Sequence, residues 1–214
     1  MKKNLTELVF ILDRSGSMSG LERDTIGGYN AVLEKQKKEA GEVNVTTILF
    51  DDKIEQLHKR VALKGLQLLT DKEYYVRGCT ALLDAIGQTV EYMSNVQKYA
   101  KEEERAEKVL FIITTDGQEN SSKEYSQSTI RRMIERQKEL YRWEFLFLGA
   151  NIDAIATARQ FGIDEEYAAN YVADATGTEL NFKAMNMAIS CCREEGIVRK
   201  SWKEEVERDY KSRV

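Results

Sequence analysis

Three short apolar runs, Leu8 to Leu12, Val43 to Phe50 and Val109 to Thr115, stand out from the polar sequence around them, and each is rich in branched side chains. Unbroken runs of this length suit strands buried on both faces, as in a parallel sheet. A fourth run, Glu144 to Gly149, has a Phe-Leu-Phe-Leu core and stops at a glycine; a weaker fifth covers Tyr167 to Val172. Lys53 to Val61 alternates more, which suits an edge strand. Helical patterns lie between the runs, over Leu21 to Ala40, Thr80 to Tyr99, Ser126 to Tyr141 and Asp153 to Phe161, with another starting near Thr178. In the second, Leu82, Ile86, Thr89 and Met93 are spaced by four, three and four and share one face. Strands alternating with helices imply right-handed crossovers. The expected fold class is α/β: a doubly wound, mainly parallel sheet with one antiparallel edge strand and helices on both faces.

Proline is absent, and no low-complexity linker or internal repeat marks a boundary. Residues 1–214 therefore read as one domain, with 173–214 as a C-terminal helical extension ending in an exposed helix over Arg199 to Val214. The charged stretch Lys98 to Lys108 reads as a solvated helix end, and Gly27-Gly28, inside a helical pattern, as a close-packing point. Cys191 shares a helical face with Leu180, Ala184 and Met187, which assigns it to packing.

Composition narrows the classes. A chain of 214 residues can bury about 70% of its unfolded surface without covalent staples. Thirty-two basic against 36 acidic residues leave a net charge of -4, which advertises neither nucleic acid nor an anionic membrane. Polar Met1 to Thr6 runs straight into the first apolar run, too short for a signal peptide or a span, so a cytoplasmic location is expected. Three cysteines, two of them adjacent, do not suggest a disulfide framework.

In an open α/β sheet ligands gather where loops leave the carboxyl ends of the strands. The first run is followed by Asp13-Arg14-Ser15-Gly16-Ser17, and the third by Asp116-Gly117-Gln118-Glu119-Asn120; Arg77-Gly78-Cys79-Thr80 opens the second helix. Asp13, Ser15 and Ser17 alternate, and in a nearly extended segment alternate side chains point the same way. Two carboxylates and several hydroxyls are hard oxygen donors of the kind Mg²⁺ selects, with Mn²⁺ or Ca²⁺ as the other candidates. The lone His58, on the expected edge strand, reads as a surface or structural residue. Turn and helix-capping chemistry is the plain alternative for Asp13, Ser15 and Ser17.

Asp-x-Ser-x-Ser after the first strand, Gly-x-Thr before a helix and Thr-Asp-Gly after a later strand, in that order, resemble the von Willebrand factor A family over roughly Glu7 to Val172. The resemblance implies a metal-ion-dependent adhesion site in which Ser15, Ser17 and Thr80 bind the metal directly and Asp13 and Asp116 act mainly through ordered waters. It implies a binding module without turnover, whose bound cation takes an Asp or Glu of a protein partner. Stand-alone intracellular bacterial or phage members are the nearest analogy, which suggests a stress or ATPase-associated complex with a chaperone-like ATPase as one such partner. Arg14, Glu119 and Asn120 are the candidates for a partner-binding rim. The rival reading is a Mg²⁺-dependent phosphohydrolase with Asp13 as nucleophile. It is weakened because Ser15 stands where haloacid-dehalogenase-like phosphatases place their acid and base.

Overall fold

The computed structural model describes all of residues 1–214. The first strand, β1 (Lys2–Asp13), is the middle of the sheet and shows why its sequence lacks polar alternation. Leu8, Phe10 and Leu12 enter one core, while Val9 and Ile11 enter another on the opposite face. Both faces are dry, so both phases of the pleat must be apolar.

Six strands form the sheet: β1, β2 (Glu42–Phe50), β3 (Ile54–Ala62), β4 (Ala106–Thr115), β5 (Glu144–Gly149) and β6 (Ala168–Asn170), in the order β3-β2-β1-β4-β5-β6. Every pairing is parallel except that of β2 with β3, which are joined by a tight hairpin. The expected antiparallel edge is therefore β3. From β1 the chain moves outward to β2 and β3, then returns to pair β4 on the other side of β1. That reversal is the topological switch point, and the carboxyl ends of β1 and β4 open on it together.

Helices α1 (Glu22–Gln36), α5 (Ala175–Glu195) and α6 (Glu204–Arg213) cover one face. Helices α2 (Leu82–Tyr99), α3 (Gln127–Tyr141) and α4 (Ala154–Gln160) cover the other. Their starts follow capping chemistry: Ser126, Asp153 and Asp174 each accept from a backbone N–H three residues on, at 3.3, 2.9 and 2.7 Å. No helix is long and apolar enough to cross a membrane.

Two expectations need correcting, and two further stretches join the core more fully than their polarity suggests. The apolar spacing on α5 that reaches the sheet side is Phe182, Met185, Ile189 and Cys192, all buried. The stripe through Leu180, Ala184, Met187 and Cys191 lies beside it; Ala184 is buried, but Met187 is exposed and Cys191 is only half-buried. The stretch Lys98 to Lys108 is not one helix end: α2 stops at Tyr99, and β4 begins at Ala106 by pairing with Lys2. The polar leader also belongs to the sheet, because β1 begins at Lys2 and Leu5 is buried. The residues after Val172 supply core side chains through α5, the 3₁₀ turn Lys200–Lys203 and α6, Phe182, Ile189, Trp202 and Val206 among them.

Of the two adjacent glycines in α1, only Gly28 is a contact point. A Cβ there would stand 2.1 Å from the Phe182 ring, whereas one at Gly27 would meet nothing within 4 Å. His58 is half-buried, with its Nδ1 3.0 Å from the Thr47 hydroxyl, and burial holds its pKa below the ordinary value.

Candidate metal centre

β1 ends at Asp13, and the chain stays extended through Ser15 before one 3₁₀ turn, Gly16–Met18. Two backbone hydrogen bonds tie this loop to the segment before α2: Arg77 N–H to the Arg14 carbonyl at 2.9 Å and Gly16 N–H to the Gly78 carbonyl at 3.1 Å. Gly78 has φ +68, and a Cβ on it would lie 2.1 Å from Asp52 Oδ1, so this position needs glycine. Thr80 is clasped to the third loop from both sides: its N–H donates to Asn120 Oδ1 at 2.9 Å, and its carbonyl accepts from Asn120 N–H at 3.1 Å.

These ties bring the five expected residues together as a chain of oxygens. Thr80 Oγ1 donates to Ser15 Oγ at 3.1 Å, Ser15 and Ser17 hydroxyls lie 3.1 Å apart, and Ser17 Oγ donates to Asp116 Oδ1 at 2.5 Å. Asp13 stands behind them, its Oδ1 accepting from Ser15 N–H at 2.7 Å and its Oδ2 from the Thr115 hydroxyl at 2.5 Å. Asp13, Ser15, Thr80 and Asp116 are buried, and Ser17 is exposed, so the cluster opens outward at Ser17. Gly117 keeps the mouth clear: a Cβ there would stand 3.0 Å from Ser17 Oγ and 3.2 Å from Thr80 Oγ1.

The electrostatics favour a cation. Burial raises the pKa of Asp13, with hydrogen bonds from Ser15 and Thr115 opposing it. Burial likewise pushes Asp116 up to about 6, against the Ser17 hydrogen bond and helped by the Asp13 charge. Asp116 Oδ2 is buried without a partner. An orphaned carboxylate oxygen beside a second buried carboxylate is a costly arrangement that a hard dication would relieve. No three His, Cys, Asp or Glu side chains converge as a metal-holding group. The donor set here is two carboxylates and three hydroxyls, all hard oxygen donors, which fits Mg²⁺-like ions.

The expected rim needs revision. Arg14 is fully buried and turned away from the cluster. Its Nε donates to Asp51 Oδ2 at 3.0 Å and its Nη2 to Glu55 Oε2 at 2.8 Å, while Arg77 Nε donates to the same Asp51 oxygen at 2.6 Å. The physical reason is alternation: between Asp13 and Ser15, Arg14 must point the other way. Burial alone would raise Asp51, but the hydrogen bond from Arg77, that from Lys53 N–H and the Arg14 charge lower it. Glu119 is engaged in capping, accepting from Leu83 N–H at 2.9 Å and from Ser122 N–H at 2.7 Å. Asn120 is exposed beside the opening while its side chain holds Thr80.

Three supporting residues escaped sequence reading. Thr115 holds Asp13, Tyr74 donates to the Asp13 carbonyl at 2.5 Å, and Asp51 joins Arg14 to Arg77. Thr115 opens the Thr-Asp-Gly motif, but its place at the end of a strand run signals only β propensity and not its bond to Asp13. Tyr74 lies 61 residues away in irregular chain, without a local signal.

No family model matches the chain, and no curated protein sequence does. Solved structures do. Proximal thread matrix protein 1 from the mussel byssus, with a zinc occupied MIDAS motif, superposes with a TM-score of 0.58 at 13% identity, covering 85% of this chain and 44% of that one. A von Willebrand factor type A protein from Catenulispora acidiphila gives a TM-score of 0.55 at 14% identity, over 86% of this chain and 42% of that one. The chain has the von Willebrand factor A fold. Manganese-loaded TRAP protein of Plasmodium vivax shares this fold with a TM-score of 0.54 at 14% identity, covering 85% of this chain and 74% of its own. Against the mussel and Catenulispora structures the chain spans less than half their length. In this von Willebrand factor A fold, the five clustered residues occupy the carboxyl ends of β1 and β4 and the start of α2.

Proposed function

We propose that the chain is a metal-dependent protein-binding module, in which Asp13, Ser15, Ser17, Thr80 and Asp116 hold a divalent cation that takes a carboxylate of a partner protein. The observation that carries this reading is the chain of hydroxyls running to Asp116, with the orphaned Asp116 Oδ2 buried behind an exposed Ser17. When bound, the cation supplies a Lewis-acidic position open to an outside oxygen. Ser15, Ser17 and Thr80 orient it, the two aspartates balance its charge, and Gly117 keeps the approach free. The metal-loaded zinc and manganese structures of the same fold support a divalent ion at such a site. Mg²⁺ is the ion proposed on donor hardness, and an intracellular ATPase-associated complex is the setting proposed from the resemblance.

The phosphohydrolase reading gains nothing from the geometry. Both Asp13 oxygens already accept hydrogen bonds, and the side chain is 1% exposed, a poor posture for an attacking nucleophile. Capture of partners from a lysate in Mg²⁺, in excess chelator and with Asp116→Ala tests the binding claim. Partners retained in Mg²⁺ and lost in the other two support it; retention in all three contradicts it.

A further inference from the structure

A cavity of about 820 Å³ opens at the other end of the sheet, between the last turns of α2 and α3 and the starts of β4 and β5. We propose that it binds a small molecule with a flat aromatic body and an anionic group. Its size falls within the range of small-molecule sites. Trp143 and Tyr125 line it, and the Trp143 ring is backed by Phe111 in a stack with centroids 5.5 Å apart, which gives a rigid aromatic wall.

Charge sets the ligand preference. Lys98, Arg105, Arg136 and Arg142 line the cavity against only Glu91 and Glu107. Both acids are already engaged, Glu91 by the Tyr125 hydroxyl at 2.7 Å and Glu107 by Asn4 N–H at 2.9 Å. Lys98 and Arg142 lie at helix C-termini, where a cation offsets the helix dipole without any ligand. Arg105, in the turn before β4, gives only its Nη2 to a carbonyl, that of Ala100 at 3.3 Å, and Arg136 lies a turn short of the end of α3, so these two carry the anionic preference.

The probe is 8-anilino-1-naphthalenesulfonate, which combines a sulfonate, an N–H and aromatic rings, compared with uncharged N-phenyl-1-naphthylamine. The native protein should bind the sulfonate saturably at one site, about tenfold more tightly than the neutral analogue, with a shift of the Trp143 indole resonance. Arg105→Met and Arg136→Glu should each weaken the sulfonate by about tenfold and leave the neutral probe unchanged, and Asp116→Ala should affect neither. The melting curve of each variant checks folding; Arg136 is exposed, so Arg136→Glu stands as the test if Arg105→Met unfolds. No saturable binding, equal affinity for both probes, or affinity untouched by Arg136→Glu would overturn the proposal. So would a homodimer that excludes the probe and is dissolved by Leu140→Glu at the exposed rim.

Discussion

At the residue scale the two aspartates of the cluster do different work. Asp13 is satisfied by Ser15 N–H and Thr115, whereas Asp116 keeps one buried oxygen unpartnered and is raised to about 6. A carboxyl whose folded pKa lies above its unfolded value binds more protons when folded, so its ionisation lowers stability as pH rises from about 4 to 6. Asp116→Asn removes that charge and keeps an acceptor for Ser17. Without metal it should raise stability at pH 7 by on the order of 2 kcal/mol, while abolishing any gain in melting temperature from Mg²⁺. A lower metal-free melting temperature would count against the electrostatic account. The same shift has a second consequence: a dication competes with the Asp116 proton, so the Mg²⁺-induced rise should be full at pH 7.5 and fade as pH falls through about 6. Arg14 is a different case. Arg14→Ala leaves Asp51 buried beside a half-exposed Arg77 and should cost about 3 kcal/mol in chemical denaturation; a rim residue would lose binding with no such cost.

At the element scale, the loops are positioned by contacts that no short motif encodes. The alternation Asp13, Ser15, Ser17 was legible because three polar residues follow an apolar run at period two. The same alternation, followed one residue further, puts Arg14 on the opposite side, and the rim expectation overlooked it. Tyr74 was illegible because a tyrosine in a structureless stretch carries no pattern; its hydroxyl finds the Asp13 carbonyl only when the segment before α2 folds back on β1. Tyr74→Phe should lose about 1 kcal/mol of stability. The glycine pair in α1 was legible only as a pair. Gly28→Ala drives a Cβ into Phe182 and should destabilise by about 1–3 kcal/mol. Gly27→Ala, on the exposed side, should stabilise by about 0.5–1 kcal/mol through helix propensity. Thermal melts of the two variants should therefore move in opposite directions.

At the scale of the whole molecule, strand count and class followed from apolar runs interleaved with helical periods, because a sheet covered on both sides leaves no polar phase in its central strands. The order of strands was less accessible. It depends on β4 returning to the far side of β1, and that return makes the loops after Asp13 and Asp116 neighbours, though they are about a hundred residues apart. The role of α5 was partly hidden as well: its buried face is chosen by where α1 and the sheet stand, and two stripes of similar apolarity competed for it. The cavity between α2 and α3 had no motif at all, since its lining comes from five separate segments.

The central claim is that five side chains from three loops hold one divalent ion. Crystals grown with Mn²⁺ and measured for anomalous scattering test it most directly. The account predicts a single strong peak at bonding distance from the Ser15 and Ser17 hydroxyls, facing solvent, and its absence from Asp116→Ala crystals grown in the same way. A Mn²⁺ peak elsewhere with none between Ser15, Ser17 and Thr80 would contradict it.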